Sequence, residues 1–414
     1  MRILYTFGIR LYGLGIRIAS LFSEKAKLWV NGRKHLFERM QSLLPPDSRP
    51  CVWIHASSMG EFEQARPVIE LIHSQFSNHK IVVTFFSPSG YEIRKNYDLA
   101  DAVLYMPLDT PRKAQRFLDI VKPQVALFVK YDFWFNFLSE LKKRQVPTFI
   151  FSTIFRPSQY FFKWYGLWFR RQLSTFTHFF VQNEESKTLL QSIGFENVTI
   201  AGDTRFDRVA KIAATAKSDD IVERFINGKP VVMAGSSWPP DEQILYQFIS
   251  TTPHDVKLIV APHEIDDSHV SQIKKLFGET AVCYTEATPE TDFSDVKVLI
   301  VNTMGMLSSL YRYSHIAYIG GGFGKGIHNI LEAVVYGTPV CFGPNHSKFQ
   351  EAKDIIALGG GAVVSSDEDF SHIVNNWLSD NELWQKTSDI CRQYTQSNIG
   401  SAEKIFETVS NYLK

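Results

Sequence analysis

The stretch Val301–Pro344, VNTMGMLSSLYRYSHIAYIGGGFGKGIHNILEAVVYGTPVCFGP, decides how the chain is read. Its pattern is strand, short helix, strand, glycine-rich turn, helix, strand. Ile316–Ile319 is a β-branched and aromatic run that stops at Gly320, Gly321 and Gly322. Gly326, His328 and Asn329 lead into Ile330, Leu331, Ala333, Val334 and Val335, an apolar set with helical spacing. Gly337-Thr338-Pro339 ends that helix, and Val340-Cys341-Phe342 is a buried-strand pattern closed by Gly343-Pro344. A glycine turn feeding a helix start offers free N–H groups and the positive end of a dipole to a phosphate. No Ser or Thr follows Gly324-Lys325, so the stretch is not a Walker loop, and no register satisfies GxGxxG. A tight α/β turn without a ligand gives the same pattern.

Outward from this stretch the strand–helix alternation continues in both directions. Strand patterns at 52–55, 81–86, 102–105, 125–129, 148–152, 179–181 and 198–201 alternate with helical spacing. A second series runs through 230–234, 257–261 and 298–301. That rhythm predicts doubly wound parallel sheets. The 414 residues are enough for two domains with ample cores. The expected division is an N-terminal amphipathic segment 1–44, a Rossmann-like domain 45–205 and a connection 206–229. A second Rossmann-like domain, 230–383, and a C-terminal helix 384–414 crossing back complete it. The four cysteines are scattered without a CxxC pair, which fits a reducing compartment without a disulfide or structural-metal framework. Asp367-Glu368-Asp369 is a DxD in a polar loop, a weak pattern for a metal.

Net charge is +1, so nothing in the overall balance points to nucleic acid. The first 50 residues are different, with nine cations against three anions. Residues 1–22 are rich in Ile, Leu, Phe and Tyr but are interrupted by Arg2, Arg10 and Arg17. Their uncharged runs fall far short of the ~20 residues needed to span a bilayer. At about 100° per residue the three arginines share one arc of a helix, leaving a broad apolar face. An in-plane membrane helix with arginines at lipid phosphates fits, as does an amphipathic helix packed on its own domain. Phe155–Arg171, FRPSQYFFKWYGLWFRR, adds aromatics beside cations, a composition suited to the bilayer boundary or to a core.

The strand at 52–55 ends in His55, and Ala56-Ser57-Ser58-Met59-Gly60-Glu61 turns into a helix. Glu61 in that first turn complements the helix dipole, or it is a general base where open parallel sheets place their ligands. Lys130-Tyr131-Asp132-Phe133-Trp134-Phe135-Asn136 follows the fourth strand at the same sheet edge. His55, Ser58, Gly60, Lys130, Gly321 and Gly322 are therefore candidates to line a donor or acceptor cleft.

Taken together, several blocks make the chain resemble the Kdo transferase family, which moves 3-deoxy-D-manno-octulosonic acid from CMP-Kdo to a lipid A precursor. The blocks are Trp53–Glu61, Gln182-Asn183-Glu184-Glu185, Gly202–Asp207, Asn302-Thr303-Met304-Gly305 and Gly320–Glu332 with Gly343-Pro344. The resemblance implies an α/β GT-B glycosyltransferase fold, two Rossmann-like domains facing a cleft, with an N-terminal membrane-associated helix. It implies inverting, metal-independent transfer at the cytoplasmic face of the inner membrane, with no cofactor. Glu61 is then the proton acceptor. Pro262, His263, Met304, Gly305, Met306, Asn329, Ile330, Leu331 and Glu332 match the CMP-contacting segments, with Glu332 on the ribose.

The partners so implied are CMP-Kdo, a lipid A precursor and the inner-membrane surface, without nucleic acid. The alternative is another GT-B-like enzyme using a UDP-sugar. The chain departs from the family pattern at Lys130–Asn136, where many members have Glu-Thr-Glu-Leu-Trp-Pro-Asn. Met306 stands for a usual Glu and His263 for a usual Arg, and Ser152–Phe155 replaces Ala-Arg-Leu-Ser.

Overall fold

Continuous apolar runs such as Val125–Val129 and Leu258–Pro262 cannot face water on either side, so each builds the middle of a parallel sheet covered by helices on both faces. In the computed structural model, which describes residues 1–45 and 48–414, the chain divides into two compact units. The first comprises residues 1–208 and 400–414, the second 209–399. The Pro45-Pro46 stop expected after the N-terminal helices lies partly outside the described residues.

The first unit holds seven parallel strands: β1 (Cys51–His55), β2 (Lys80–Phe85), β3 (Ala102–Tyr105), β4 (Val125–Val129), β5 (Thr148–Thr153), β6 (His178–Val181) and β7 (Val198–Ile200). Their order is β3-β2-β1-β4-β5-β6-β7. Side chains alternate between two cores. Trp53, Val82, Ala126, Phe128 and Ile150 go to one face, and Val52, Ile54, Val83, Leu127 and Phe149 to the other. The strand order reverses between β1 and β4, and the carboxyl ends of such a pair are where an open α/β sheet leaves a crevice.

The second unit repeats the plan with β8 (Val231–Ser237), β9 (Lys257–Pro262), β10 (Ala281–Cys283), β11 (Val298–Ile300), β12 (Ile316–Ile319), β13 (Val340–Phe342) and β14 (Gly361–Val363). The order is β10-β11-β9-β8-β12-β13-β14, reversing between β8 and β12. The sequence pattern misses the three-residue edge strands β10 and β14.

Three helical expectations need correction. The helix after the glycine turn is a single turn, Leu331–Val334, ended by Gly337 in the left-handed region at φ 76°. The apolar spacing that suggested a longer helix comes from Ile330, Leu331, Ala333 and Val334, all buried, rather than from a continuing helical face. The C-terminal stretch is two helices, Asn381–Asn398 and Ser401–Ser410, broken at Gly400 (φ 98°). Asp207 accepts the N–H groups of Gly400 and Ala402 at 2.6 and 2.9 Å, so the second of these helices starts on the first unit. Asp367, Glu368 and Asp369 lie in the first turn of helix Asp367–Ser379, where Ser366 accepts the Asp369 N–H. They complement the dipole there.

The N-terminal helix Arg2–Ala19 packs by one edge only. Tyr5 donates to Asp109 at 2.6 Å, Arg2 donates to Asn136 at 3.0 Å and Thr6 accepts from Asn136 at 3.2 Å. Ile3, Leu4, Phe7, Leu11, Leu14 and Ile18 are exposed on the other side. Among the described residues no helix is long and apolar enough to cross a membrane. The aromatic stretch 155–171 splits: Phe155 and Phe161 are core, whereas Trp164, Tyr165 and Leu167 protrude, Trp164 at 92% exposure.

The glycine turn after β12 is fixed by close backbone approach. A Cβ on Gly320 would lie 2.2 Å from the Ser236 carbonyl oxygen, and one on Gly322 would lie 2.5 Å from the Gly343 nitrogen. Both obstacles are main chain and cannot swing aside. Gly320→Ala and Gly322→Ala should each cost about 1–3 kcal/mol, read as a lowered thermal midpoint. Gly8→Ala, with nothing within 4 Å of its Cβ in an exposed helix, should instead stabilise by roughly 0.5–1 kcal/mol.

Candidate active site

β1 brings His55 to the carboxyl edge of the first sheet, and the turn Ala56-Ser57-Ser58 opens helix Met59–Gln75. Glu61 in its first turn reaches back, its Oε2 accepting the N–H of Ser57 at 2.5 Å and of Ser58 at 3.2 Å. The neighbouring strand across the reversal, β4, delivers Asp132. Lys130 makes that possible by taking φ 56°, an uncommon conformation for a residue with a Cβ. Its N–H bonds the Phe151 carbonyl at 3.0 Å, and its carbonyl accepts the Thr153 hydroxyl at 2.9 Å. Asp132 then accepts the Ser57 hydroxyl at 2.6 Å and the Ser57 N–H at 3.2 Å. One serine thus ties together two carboxylates from adjacent strand exits.

The two acids are not equivalent. Burial raises the pKa of both. Asp132, buried, is pushed up well above the carboxylate range, next by the charge of Glu61. Glu61 is pulled back by the Lys130 charge, by the two serine N–H groups and by a hydrogen bond from Asp132. The shared proton therefore belongs to Asp132, and Glu61 is the ionised partner. That leaves a carboxylate able to accept a proton, backed by a neutral acid that donates to it.

His55 differs from the expected cleft residue. It has no exposed surface, and burial holds its pKa down to about 3, so the ring is neutral. Nδ1 meets the Thr84 hydroxyl at 2.8 Å, and Nε2 accepts from Trp134 Nε1 at 2.9 Å. Nε2 also lies 3.3 Å from the Ser57 hydroxyl. The imidazole orients the turn and leaves no face for a ligand. Ser58 and Lys130 are partly exposed and Gly60 is exposed, at the same edge. Asp132, which carries half of this arrangement, was readable only as one polar residue in a segment. Nothing in the spacing of 61 and 132 announces that they meet.

In the second unit the corresponding reversal, β8 against β12, holds a cavity of about 580 Å³. Trp238, His263 and His328 form a stack on its wall, with ring centroids 4.9 and 4.2 Å apart. Trp238 Nε1 donates to His328 Nε2 at 3.1 Å. Burial, and next the neighbouring His263, hold the His328 pKa down to about 4.

The glycine loop Gly321–Gly326 borders the cavity, but its amides are less free than the sequence suggested. Gly320 N–H goes to the Gly235 carbonyl, and the N–H groups of Gly324 and Gly326 go to the Gly321 carbonyl. Gly321 N–H goes to Asp241 at 2.9 Å. Asp241 also accepts from Tyr318 at 2.6 Å and from the Trp238 N–H at 2.9 Å, which pins the loop to the start of helix Pro239–Thr251. A Trp-Pro-Pro-Asp start after a strand is a helix-capping pattern, the one available signal for Asp241.

Of the residues singled out in the sequence, His263 from the nucleotide segments and Gly321 from the cleft candidates line this cavity. Pro262 closes β9 beside it. Gly322 is buried against Gly343. Ile330 and Leu331 are fully buried, so only their main chain is available to a ligand. Asn329 donates to Glu332 at 3.1 Å. Met304 is 88% exposed, Gly305 has φ 85°, and Met306 Sδ accepts from Thr303 at 2.7 Å. These last five do not line the 580 Å³ cavity.

Two sheets of this plan are found in glycosyltransferases and sugar-nucleotide epimerases of the GT-B type. The structure superposes on a UDP-GlcNAc 2-epimerase from Neisseria meningitidis bound to UDP-GlcNAc with TM-score 0.61, covering 87% of this chain and 100% of that one at 17% identity. It superposes on the calicheamicin glycosyltransferase CalG4 with TM-score 0.54, covering 89% and 99% at 12% identity. The fold is GT-B.

Residues 34–208 match the family model described as 3-deoxy-D-manno-octulosonic-acid transferase (kdotransferase). A 3-deoxy-D-manno-octulosonic acid transferase from Aquifex aeolicus is 25% identical over 342 residues, 80% of this chain and 88% of that protein. A bifunctional glycosyltransferase/methyltransferase from Fusobacterium nucleatum is 26% identical over 378 residues; the match takes in 87% of this chain but only 57% of that longer relative. The family-model match over 34–208 and relatives about 25% identical across most of the chain support the Kdo transferase family, and with it a glycosyltransferase.

The carboxylate pair has a consequence for stability. Asp132 holds its proton more tightly folded than unfolded. Its contribution is therefore present below the ordinary Asp pKa and is lost as pH rises through the raised folded value. Asp132→Asn removes that dependence. Its thermal midpoint relative to the parent should become steadily more favourable as pH rises above the ordinary Asp range, which melts over a pH series would record.

Proposed function

We propose that the chain transfers Kdo from CMP-Kdo to a hydroxyl of a lipid A precursor with inversion, Glu61 accepting the hydroxyl proton. The observation that carries the reading is the geometry of Glu61, which accepts the N–H groups of Ser57 and Ser58 beside buried Asp132, in a chain similar to Kdo transferases. As the acceptor oxygen attacks the anomeric carbon, its proton passes to Glu61. The bond from that carbon to the CMP phosphate oxygen breaks, and the electron pair leaves with CMP. Asp132 keeps its proton, steadying the Glu61 carboxylate, and Lys130 supplies a compensating charge.

The donor is assigned to the second unit. The ring stack Trp238–His263–His328 and the glycine loop with Lys325 take up the nucleotide and its phosphate. The segments Met304-Gly305-Met306 and Asn329–Glu332 extend that site in this proposal, Glu332 toward the ribose. The enzyme is placed at the cytoplasmic face of the inner membrane. Support for this is the exposed apolar side of helix Arg2–Ala19 and the protruding Trp164 and Tyr165, features suited to lying in an interface.

Incubation of the purified chain with CMP-Kdo and a tetra-acyl lipid A precursor, followed by weighing the lipid product, tests the reaction. CMP, and not UDP, should raise the thermal midpoint of the protein. Protection by UDP alone would favour a UDP-sugar enzyme instead. Glu61→Gln should stay folded and keep CMP protection while losing roughly 10²–10⁴-fold in turnover, the usual worth of a general base. Turnover near that of the parent would remove Glu61 from the role.

A further inference from the structure

Behind the wall of the 580 Å³ cavity in the second unit lies a closed ring of polar contacts that the chemistry above does not use. Ser237 at the end of β8, Glu242 in helix Pro239–Thr251 and His269 in helix Asp267–Phe277 are all buried. The Ser237 hydroxyl donates to Glu242 Oε1 at 2.9 Å. His269 Nε2 lies 3.0 and 3.1 Å from the two Glu242 oxygens, and its Nδ1 donates to the Glu264 carbonyl at 2.9 Å. The His263 N–H closes the ring on the Ser237 carbonyl at 3.0 Å. His263 is thereby held from both sides, by its own amide and by the carbonyl of the residue after it. Its imidazole is the middle member of the Trp238–His263–His328 stack on the cavity wall.

The backbone bends to build this ring. Ser236 takes φ 55° at an irregularity in the β8–β9 pairing, an uncommon conformation for a residue with a Cβ, and pairing resumes at Ser237. Glu242 and His269 must also hold two protons between them, because a carbonyl faces Nδ1 and a carboxyl group faces Nε2. A neutral imidazole beside a carboxylate would set one lone pair against another. Burial raises the Glu242 pKa, the His269 charge and the Ser237 hydroxyl oppose it, and the charge of the adjacent Asp241 adds to burial. Asp266 accepts the His269 N–H at 3.0 Å from the cap of its helix. A buried pair of this kind contributes little net stability compared with apolar packing.

We infer that Glu242 and His269 are positioning residues for the donor, holding residues 262–264 so that the His263 ring stands where the nucleotide docks. Neither lines the cavity, so both act through His263. The inference rests on the donor assignment above and adds what fixes its wall. Glu242→Gln separates position from packing. Its amide oxygen accepts from Ser237 and its NH₂ donates to a neutral His269, so the ring closes without the second titrating proton.

Calorimetric titration of the full chain with CMP tests this, over a series from about pH 7 upward where a phosphate monoester is largely ionised. Parent affinity should fall as the pair gives up its second proton. Glu242→Gln should match the parent at the low end of the series and lose that fall. Glu242→Ala and His269→Ala should bind CMP roughly 2–30-fold more weakly, the usual reach of a residue acting through a neighbour. If either alanine variant fails to fold, Glu242→Gln and the pH series still decide. Parent-like affinity in both alanine variants overturns the inference. So does a Glu242→Gln variant as weak as Glu242→Ala, or one that follows the parent's pH curve. If the parent transfers no Kdo and UDP protects it instead of CMP, the functional reading fails, and the same titrations with UDP decide the positioning.

Discussion

Two carboxyl groups from adjacent strand exits cannot both be ionised when one serine holds them together away from water, and the first unit is arranged around that constraint. β1 and β4 are neighbours only because the sheet reverses its winding there, which places the turn after each at the same edge. Lys130 bends into a conformation unusual for a residue with a side chain so that Asp132 faces Ser57. His55, Thr84 and Trp134 form a fully bonded backing that fixes the turn from behind. The outcome is a division of labour between two similar acids. Glu61, near a cation and two N–H donors, carries the charge, and Asp132, deeper, carries the proton.

The second unit repeats the placement with different chemistry. Its sheet reverses between β8 and β12, and there too a buried carboxylate, Asp241, ties the two strand exits together. Asp241 holds a glycine loop in place through the Gly321 amide and the Tyr318 hydroxyl instead of facing another acid. Burial raises its pKa as well, but three donors converge on it, so its task is to shape the cavity beside Trp238, His263 and His328. The same sheet geometry thus brings a carboxylate pair together in one unit and pins a glycine loop beside a cavity in the other.

Most of the fold was legible because buried parallel strands write themselves as apolar runs. β3, β4, β12 and β13 fall where the pattern put them, whereas the short edge strands β10 and β14 left no trace. The glycines after β12 were readable as a close-packed turn, and the approach of Gly320 to Ser236 explains them. The one-turn helix that follows was over-read, since apolar spacing reports burial and not helix length. Glu61 stood out because it opens a helix after a strand. Asp132 and Asp241 did not, because their partners lie 75 and 80 residues away along the chain and meet them only once the sheets form. The arginines of the first helix share one arc in the sequence, whereas Lys113 joins Arg10 and Arg17 around a cavity of about 870 Å³ only through tertiary packing.

The claim on which the account depends is that the proton of the pair resides on Asp132 while Glu61 is charged. Infrared difference spectra at neutral pH test it directly through the C=O band of a protonated carboxylic acid. The account predicts a band in the parent that Asp132→Asn removes and Glu61→Gln retains. A band lost in Glu61→Gln and kept in Asp132→Asn would place the proton on Glu61 and contradict it.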